Sequence, residues 1–383
     1  MKFSDLNLIP PILKAAAEAG YEEPSPIQQK AIPPVLAGRD LLGCAQTGTG
    51  KTAAFAMPIL QRLAAAPAPS GGRPIRALIL TPTRELALQI DESFAAYGRH
   101  MRLAHCVIFG GVNQNPQVAR LKKGVDILTA TPGRLNDLIG QGYIDLKNVE
   151  IFVLDEADRM LDMGFVHDVK RVLACLPGQK QTLLFSATID KSIMKVAGSF
   201  MNDPATVEIA RRGDVASTVE HYVIRVPQSV KPDLLKAVLE EKGFYRVIVF
   251  ARTRSRADSS CRRLRRAGYK VEAIHSDRSQ SQRKRALDRF AEGEVNILTA
   301  TDVLARGIDV DQVDYVINYD VPDQPEDYVH RIGRTGRAGS KGLAITFVTP
   351  ENEGELRAIE KLIKAQIPEM KLESFDMAQA AAA

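Results

Sequence analysis

Tryptophan is absent from this 383-residue sequence, and cysteine is scarce. No two cysteines form a C-x-x-C pair, which argues against both zinc ribbons and disulfide frameworks. The sequence also lacks a run of about 18 apolar residues that could span a membrane, and residues 1–5 lack the charged-then-apolar pattern of a signal peptide. We therefore expect a chain without a membrane segment in the reduced environment of the cytoplasm. The four cysteines are Cys44, Cys106, Cys175 and Cys261.

Aromatic residues make up only 6% of the sequence, and no strong excess of either charge exists. The net charge of +5 permits a nucleic-acid partner without requiring one, because most of that excess can be solvated surface. Hydrophobic residues make up 45%, which is enough for a full core. The length predicts about two domains.

Both halves of the chain alternate short apolar runs with longer helical patterns, which predicts βαβ units and parallel sheets. The segment Asp-Ile-Leu-Thr-Ala-Thr at 126–131 recurs nearly intact at 296–301. We therefore expect two related α/β domains, at 1–209 and 219–383, joined by a polar linker at 210–218. The predicted strands are 77–81, 107–109, 126–129, 151–154 and 183–185 in the first domain and 247–250, 271–274, 296–299, 315–318 and 344–348 in the second.

A glycine-rich turn between a short apolar strand and an apolar helix predicts an anion site in the first domain. Such a turn directs backbone N–H groups and a helix N-terminus at one point. Lys51 adds a charge for the outer phosphates, and the Thr52 hydroxyl is a ligand for Mg²⁺. The alternative is a flexible loop before an ordinary helix, and Ala45 departs from the glycine that usually begins the pattern. The loop comprises Ala45, Gln46, Thr47, Gly48, Thr49, Gly50, Lys51 and Thr52.

Acidic residues follow the apolar run at 151–154 directly. This order places carboxylates at the carboxyl edge of a sheet, where α/β proteins bind ligands. Asp155 can hold Mg²⁺, and Glu156 can polarise an attacking water. A solvated turn is the alternative for such a cluster when it stands alone.

Basic residues form two groups in the second domain. His330, Arg334 and Arg337 are spaced i, i+4 and i+7, so on a helix they would form one stripe that needs an anion such as a triphosphate. A solvated basic helix face is the alternative. The arginine-rich run at 262–266 is predicted to be the solvated face of a helix whose Leu264 points inward.

The sequence Asp-Glu-Ala-Asp at 155–158, beside the phosphate loop, resembles the DEAD-box ATP-dependent RNA helicases of superfamily 2. The resemblance runs through nearly the whole chain. It implies two tandem RecA-like domains, each a mostly parallel sheet flanked by helices, that open and close on an RNA backbone as ATP is hydrolysed. The order of the motifs, with Arg-Met-Leu-Asp-Met-Gly-Phe at 159–165, is most similar to the bacterial RhlE-type subgroup.

The resemblance assigns the nucleotide site. It implies ATP and Mg²⁺ as cofactors, with Thr52 and Asp155 as metal ligands and Asp309 on the ribose. Phe3, Tyr21, Ser25 and Gln28 match an adenine-reading segment in which threonine is usual at Ser25. An amide can pair with an adenine edge, and a tyrosine offers a stacking face. The catalytic residues implied are Lys51, Asp155, Glu156, His330, Arg334 and Arg337.

The resemblance also assigns RNA-backbone contacts, all of them turns, helix starts, hydroxyls or guanidinium groups of the kind that phosphate needs. Ordinary helix capping would explain Thr83 and Thr131 equally well. Ser276 stands where many members carry glycine. Asp158, Ser186 and Thr188 match the residues that link hydrolysis to strand separation. The implied RNA contacts are Pro82, Thr83, Arg84, Gly110, Gly111, Thr131, Pro132, Gly133, Arg134, Arg283, Thr301 and Arg306.

The function that the sequence predicts is an ATP-dependent RNA helicase that unwinds short duplexes or remodels RNA–protein complexes. RNA would be the partner, bound without sequence preference by a monomer, with ribosome-assembly or RNA-decay proteins as further candidates. Two alternatives remain: a DNA-directed superfamily 2 helicase and a non-catalytic ATP-gated RNA clamp.

Overall fold

The structure is a computed structural model, and the chain divides into two compact units, Met1–Arg211 and Arg212–Ala383. The predicted linker at 210–218 lies outside the described residues except for Thr218, so its boundaries stay a prediction. The structure describes residues 1–45, 48–66, 72–189, 191–209, 218–243, 245–302, 313–336 and 341–375.

The first unit is built on a parallel sheet of seven described strands in the order β3-β4-β2-β5-β6-β1-β7. These strands are β1 (Leu41–Cys44), β2 (Ala77–Leu80), β3 (His105–Ile108), β4 (Ile127–Ala130), β5 (Ile151–Leu154), β6 (Gln181–Ser186) and β7 (Ala205–Glu208). The helices are α1 (Pro10–Glu18), α2 (Pro26–Leu36), α3 (Lys51–Ala65), α4 (Arg84–Tyr97), α5 (Asn115–Leu121), α6 (Pro132–Gly140), α7 (Ala157–Asp162), α8 (Val166–Cys175) and α9 (Lys191–Ala197), with a 3₁₀ turn at Phe3–Leu6.

Helices cover both faces of this sheet. Successive residues of a strand point to opposite faces, and Ile79 accordingly packs in the core beneath α1 to α4. Its neighbours Leu78 and Leu80 pack in the core beneath α5 to α9. A sheet that is buried on both faces explains why its strands are continuous apolar runs.

The second unit repeats the arrangement with six described strands, all paired in parallel, in the order β10-β11-β9-β12-β13-β8. These are β8 (Val219–Arg225), β9 (Val247–Phe250), β10 (Val271–Ile274), β11 (Ile297–Ala300), β12 (Tyr315–Asn318) and β13 (Gly342–Val348). The described helices are α10 (Lys231–Lys242), α11 (Arg254–Arg266), α12 (Gln280–Ala291), α13 (Pro325–Ile332) and α14 (Glu353–Ile363), with a 3₁₀ turn at Pro350–Asn352.

The predicted fold class, two α/β units with parallel sheets flanked by helices, is confirmed. Every predicted strand is present within a residue or two at each end. Two strands, β7 and β8, were missed. In β7 the side chains are mostly exposed, and in β8 polar residues interrupt the apolar ones, so neither forms a continuous apolar run.

Candidate active site

The phosphate loop joins the carboxyl end of β1 to the start of α3, as the sequence predicts. Gly48 and Gly50 have φ values of 80° and 91°, which glycine adopts without the strain that a side chain would cause. Gly50 is the N-cap of α3, and Lys51 and Thr52 form its first turn. Gln46 and Thr47 lie outside the described residues.

Lys51 is buried, with 7% of its surface exposed. Its Nζ has no hydrogen-bond partner among the residues that the structure describes. This ammonium also lies at a helix N-terminus, where the helix dipole adds further positive potential. A buried cation in such a place is costly unless an anion joins it.

Two carboxylates follow β5, and both are buried. The Asp155 Oδ1 accepts a hydrogen bond from the Glu156 backbone N at 3.0 Å. Burial raises the pKa of Asp155 from 3.8 to about 6, and the Lys51 ammonium opposes that rise. Glu156 has a left-handed backbone, with φ of 51° and ψ of 52°, which is strained for a residue with a side chain. Asp155 therefore lies within electrostatic reach of Lys51, and both carboxylates lie at the edge of the sheet that the sequence predicts.

Sequence reasoning missed Arg159, whose Nη1 lies 3.2 Å from the Glu156 Oε2. Both side chains are buried, each with 7% of the side-chain surface exposed. Arg159 therefore offsets the charge of Glu156 and restricts its orientation. The spacing i, i+3 on a helix start was the signal that could have identified the pair.

Asp158 connects β5 to the segment after β6. Its Oδ2 accepts hydrogen bonds from the backbone N of Ala187 at 3.0 Å and of Thr188 at 3.1 Å, and from the Thr188 hydroxyl at 3.4 Å. Burial raises the pKa of Asp158, against the effect of the Lys51 ammonium. The hydroxyl oxygen of Ser186, the last residue of β6, accepts a hydrogen bond from the Thr188 backbone N at 3.4 Å. The structure thus brings the three predicted coupling residues together, and their role in coupling stays a prediction.

Ser25 and Gln28 lie directly against the phosphate loop. The Ser25 hydroxyl donates to the Thr49 carbonyl at 2.7 Å, and the Gln28 Nε2 donates to the Gly50 carbonyl at 3.2 Å. The Gln28 Oε1 accepts from the Ser25 backbone N at 2.9 Å. A Cβ at Gly50 would overlap the Gln28 amide. Gln28 therefore uses one donor and one acceptor within the protein, and its remaining hydrogen and lone pair are what an adenine could use.

Three rings lie near this segment. The Tyr21 ring centroid lies 6.2 Å from that of Phe3 and 6.1 Å from that of Tyr97, and the two tyrosine hydroxyls are 3.1 Å apart. Phe3 is buried, whereas Tyr21 is exposed and presents a ring to solvent. Tyr97, at the end of α4, was not singled out from the sequence because it is distant from every motif.

The RNA motifs predicted in the first unit meet at the carboxyl ends of β2, β3 and β4. A Cβ at Gly111 would overlap the Arg84 guanidinium. The Arg134 Nη2 donates to the Val112 carbonyl at 3.0 Å, which ties α6 to the turn that holds Gly110. Motifs that are about fifty residues apart in sequence therefore form one edge. Pro82 lies there between β2 and α4, and Gly133 lies in the first turn of α6.

The two threonines for which capping was an alternative differ. The Thr83 Oγ1 accepts from the Leu86 backbone N at 3.4 Å, so Thr83 caps α4. Thr131 occupies the N-cap position of α6, before Pro132, but its side chain makes no capping hydrogen bond. Capping accounts for Thr83 and leaves Thr131 without that explanation.

The predicted helical stripe of basic residues in the second unit is wrong in its geometry. Helix α13 ends at Ile332 and Gly333 is its C-cap, so Arg334 lies beyond the helix. Gly336 then takes a φ of 70°, a left-handed conformation that does not continue a right-handed helix. The Arg334 Nε donates to the His330 carbonyl at 3.2 Å, so these two remain adjacent. Arg337, Arg306 and Asp309 lie outside the described residues.

Arg331, between the predicted site residues, is fully buried. Its Nε and Nη2 lie 2.6 and 2.9 Å from the two carboxylate oxygens of Asp302, and its Nη1 donates to the Asp320 carbonyl at 2.7 Å. This arginine therefore ties α13 to the carboxyl ends of β11 and β12. Of the predicted RNA contacts, Thr301 follows β11 and Arg283 lies in the first turn of α12, at that same edge.

Two family models match the chain: a DEAD/DEAH box helicase model over residues 25–196 and a helicase conserved C-terminal domain model over residues 230–339. A DEAD-box ATP-dependent RNA helicase named CshA from Bacillus subtilis is 43% identical over 376 residues, covering 98% of this chain and 75% of that protein. The chain belongs to the DEAD-box helicase family. A Geobacillus kaustophilus helicase of the same name is 42% identical, and the alignment covers 98% of this chain and 79% of that protein.

Solved structures agree with this DEAD-box assignment. Saccharomyces cerevisiae Dbp5, bound to RNA and ADP BeF3, aligns with a TM-score of 0.88 and 32% identity, covering 99% of this chain and 98% of that one. Mss116p bound to single-stranded RNA and AMP-PNP aligns with a TM-score of 0.86 and 28% identity, covering 100% and 83%. The tandem RecA-like fold predicted from the family resemblance is thereby confirmed. The named bacterial relatives do not test the RhlE-type subgroup, which stays a prediction.

Within the described residues, no helix is both long enough and apolar enough to span a membrane.

Proposed function

We propose that this DEAD-box chain is an ATP-dependent RNA helicase, an RNA-stimulated ATPase that separates short duplexes or remodels RNA–protein complexes. The observation that carries the proposal is the buried Lys51 ammonium, whose Nζ has no hydrogen-bond partner in the described part of the chain. A phosphate at the N-terminus of α3 would supply the missing hydrogen-bond acceptor. The relatives are named as ATP-dependent RNA helicases, which supports the same function.

The donor set suits Mg-ATP. No cluster of three His, Cys, Asp or Glu side chains that could hold a metal exists among the described residues. Mg²⁺ usually takes one or two protein ligands and completes its shell with phosphates and water, so Thr52 and Asp155 would hold it. When bound, the ion would neutralise charge on the phosphates. Tyr21 and Gln28 would bind the adenine, which favours ATP among the nucleotides.

The remaining residues have chemical roles that follow from their positions. Glu156, oriented by Arg159, would accept a hydrogen bond from the attacking water. Asp158 would link conformational changes at the nucleotide site to Ala187 and Thr188 through the hydrogen bonds that it accepts from them. Asp309, His330, Arg334 and Arg337 are proposed to act on the nucleotide from the second unit.

The RNA contacts would be sequence-independent. The groups gathered at the carboxyl edge of the first sheet are guanidinium groups, hydroxyls and turns, which position a phosphate backbone without reading bases. The same holds for Arg283 and Thr301 at the edge of the second sheet. RNA would thus be bound by its backbone.

The experiment that tests this proposal compares ATP hydrolysis with no nucleic acid, with a single-stranded RNA and with DNA of the same sequence. We expect stimulation by RNA, weaker stimulation by DNA, and no activity in the Lys51→Ala variant. Equal stimulation by DNA would favour the DNA-directed alternative. RNA binding without any hydrolysis would favour the non-catalytic clamp.

A further inference from the structure

Helix α11 ends in a run of arginines that the proposed site does not use. Arg262, Arg263, Arg265 and Arg266 are all exposed, whereas Leu264 is buried as predicted. At about 100° per residue, the four arginines spread over an arc of about 160° on the solvent side of the helix. The helix therefore anchors itself by one face and presents guanidinium groups on the other.

Three of these arginines have no partner in the described structure. Arg265 donates through Nη2 to the Val271 carbonyl at 2.9 Å and approaches Glu272 at 3.4 Å. The Glu272 carboxylate is also held by Arg289 at 2.7 Å. By contrast, Arg262, Arg263 and Arg266 make no side-chain hydrogen bond or ion pair with any residue that the structure describes. We call these three the arginine patch.

The surroundings add to the positive charge. Arg265, next to the patch in sequence, lines a pocket of about 630 Å³ at the amino-terminal edge of β10 and β11, together with Lys270, Glu272, Arg289 and Glu294. The four arginines of α11, Lys270 and Arg289 outnumber the carboxylates that line this pocket, Glu272 and Glu294. Asp233 and Glu240 of α10 add negative charge near Tyr319 and Tyr269, so positive side chains outnumber carboxylates around the end of α11 by a smaller margin. Cations in a last helical turn do complement the helix dipole, but a concentration of this size exceeds what that effect needs.

We propose that the arginine patch is a second RNA-binding surface, which contacts the phosphodiester backbone of a strand that extends beyond the predicted motif residues. Guanidinium groups bind phosphate through paired N–H donors, and arginine serves this purpose better than lysine. The patch contributes no exposed apolar side chain, which a protein partner would need as an anchor. Both a nucleic-acid backbone and an acidic protein would complement the charge, and the lack of an apolar anchor together with the suitability of guanidinium groups for phosphate favours the nucleic-acid backbone.

The patch is well separated from the predicted RNA contacts of the same unit. Helix α11 begins after the carboxyl end of β9, at the edge of the sheet where Arg283 and Thr301 lie, and it ends at the opposite edge. Its 13 residues rise by about 20 Å. A strand that only fills the motif site ends before the patch, whereas one that extends from that site by more than this distance can reach it. This inference rests on the proposed RNA-dependent function.

The test compares the variant Arg262→Gln/Arg263→Gln/Arg266→Gln with the wild-type protein. Binding is measured with a single strand of about 8 nucleotides, within the size range of single-strand-binding grooves, and with one of about 30. We expect the variant to bind the long RNA about 10- to 100-fold more weakly at low salt. The slope of log affinity against log salt should fall by about 2, because three phosphate contacts are lost. Affinity for the short RNA, and the ATP hydrolysis that it stimulates, should stay unchanged.

A matched control removes three exposed charges elsewhere on the same unit, as Arg357→Gln/Lys361→Gln/Lys364→Asn on and after α14. It should lose little affinity for the long RNA. An Arg→Lys version of the patch variant keeps the charge and should recover most of the salt slope. Unchanged hydrolysis with the short RNA shows that each variant is folded.

Three results for the patch variant would overturn the proposal. It could bind the long RNA as tightly as the control variant does, or lose as much affinity for the short strand as for the long one. It could also lose binding of polyglutamate while its affinity for the long RNA stays intact. The last result would assign the surface to acidic proteins. A wild-type protein that binds RNA but does not hydrolyse ATP would contradict the proposed function, while the two RNA lengths would still test the patch.

Discussion

The Arg159 guanidinium lies 3.2 Å from the Glu156 carboxylate, and the two side chains are buried together at the end of β5. In this pair the Arg159 guanidinium offsets the negative charge of Glu156, which lies beside Asp155. The carboxylate proposed to orient the attacking water is therefore held by a residue outside the motif that identifies it. Neighbouring structure, as much as the motif, sets the geometry of the site.

Removing Arg159 should cost stability as well as turnover. An Arg159→Gln variant leaves Glu156 buried without its partner, a change that typically costs about 3–5 kcal/mol. The double variant Glu156→Gln/Arg159→Gln no longer buries that charge and should recover part of the loss. Urea unfolding of the first unit measures the free energy of unfolding of the single and the double variant. Losses that simply add in the double variant would show that the pair does not interact.

Asp155 should make the ligand-free protein less stable as the pH rises. Its folded-state pKa is raised to about 6 from 3.8, so the folded protein retains a proton that the unfolded chain has released. Stability from this group is fully present below about pH 4 and is lost as the pH rises through about 6, by about 3 kcal/mol at most. Asp155→Asn does not titrate there, so its stability advantage over wild type should grow from pH 4 to pH 7. Thermal unfolding across that range measures the difference, and a constant difference would contradict the assignment.

Ser25 should support ATP binding through its hydroxyl. Ser25→Ala removes the hydrogen bond that holds the phosphate loop at the Thr49 carbonyl, whose net contribution is about 1 kcal/mol. Because the bond already forms without nucleotide, ATP binding should weaken by at most about fivefold. Ser25→Thr keeps the hydroxyl and is the matched control, with affinity close to wild type. Titration of a fluorescent ATP analogue measures both. Equal weakening in the two variants would indicate a steric cause.

Arg331 should be a stability residue of the second unit. Arg331→Lys keeps the charge but loses the two-pronged contact with Asp302 at a fully buried position, and we expect a loss of about 1–3 kcal/mol. Nucleotide binding by the first unit should persist. Unfolding followed through a probe attached to the second unit measures the loss of stability. A variant with wild-type stability that has lost turnover would instead make Arg331 a catalytic residue.

The fold and much of the nucleotide site could be predicted from the sequence because both depend on local patterns. Buried parallel strands such as β5 are unbroken apolar runs, and the phosphate loop and carboxylates are contiguous in sequence. The strand β7 was missed because its exposed residues mask its single buried position, Val207. Local patterns are enough where the chemistry is local.

Long-range roles were harder to predict. Arg331 stands between His330 and Arg334, and residue type alone does not separate a structural arginine from a functional one. Helical spacing could have separated it, since Arg331 shares a buried face with Tyr328 and Ile332. Gly333 could likewise have predicted the end of α13 before Arg334. The contacts of Gln28 with the phosphate loop had no signal in the sequence.

The central claim is that ATP hydrolysis by this chain separates RNA strands. The direct measurement follows the release of a labelled strand from a short RNA duplex with ATP, without ATP, and with the Glu156→Gln variant. We predict release only with ATP and wild-type protein, and little with a DNA duplex of the same sequence. Release that is equal without ATP, or equal in Glu156→Gln, would contradict the account.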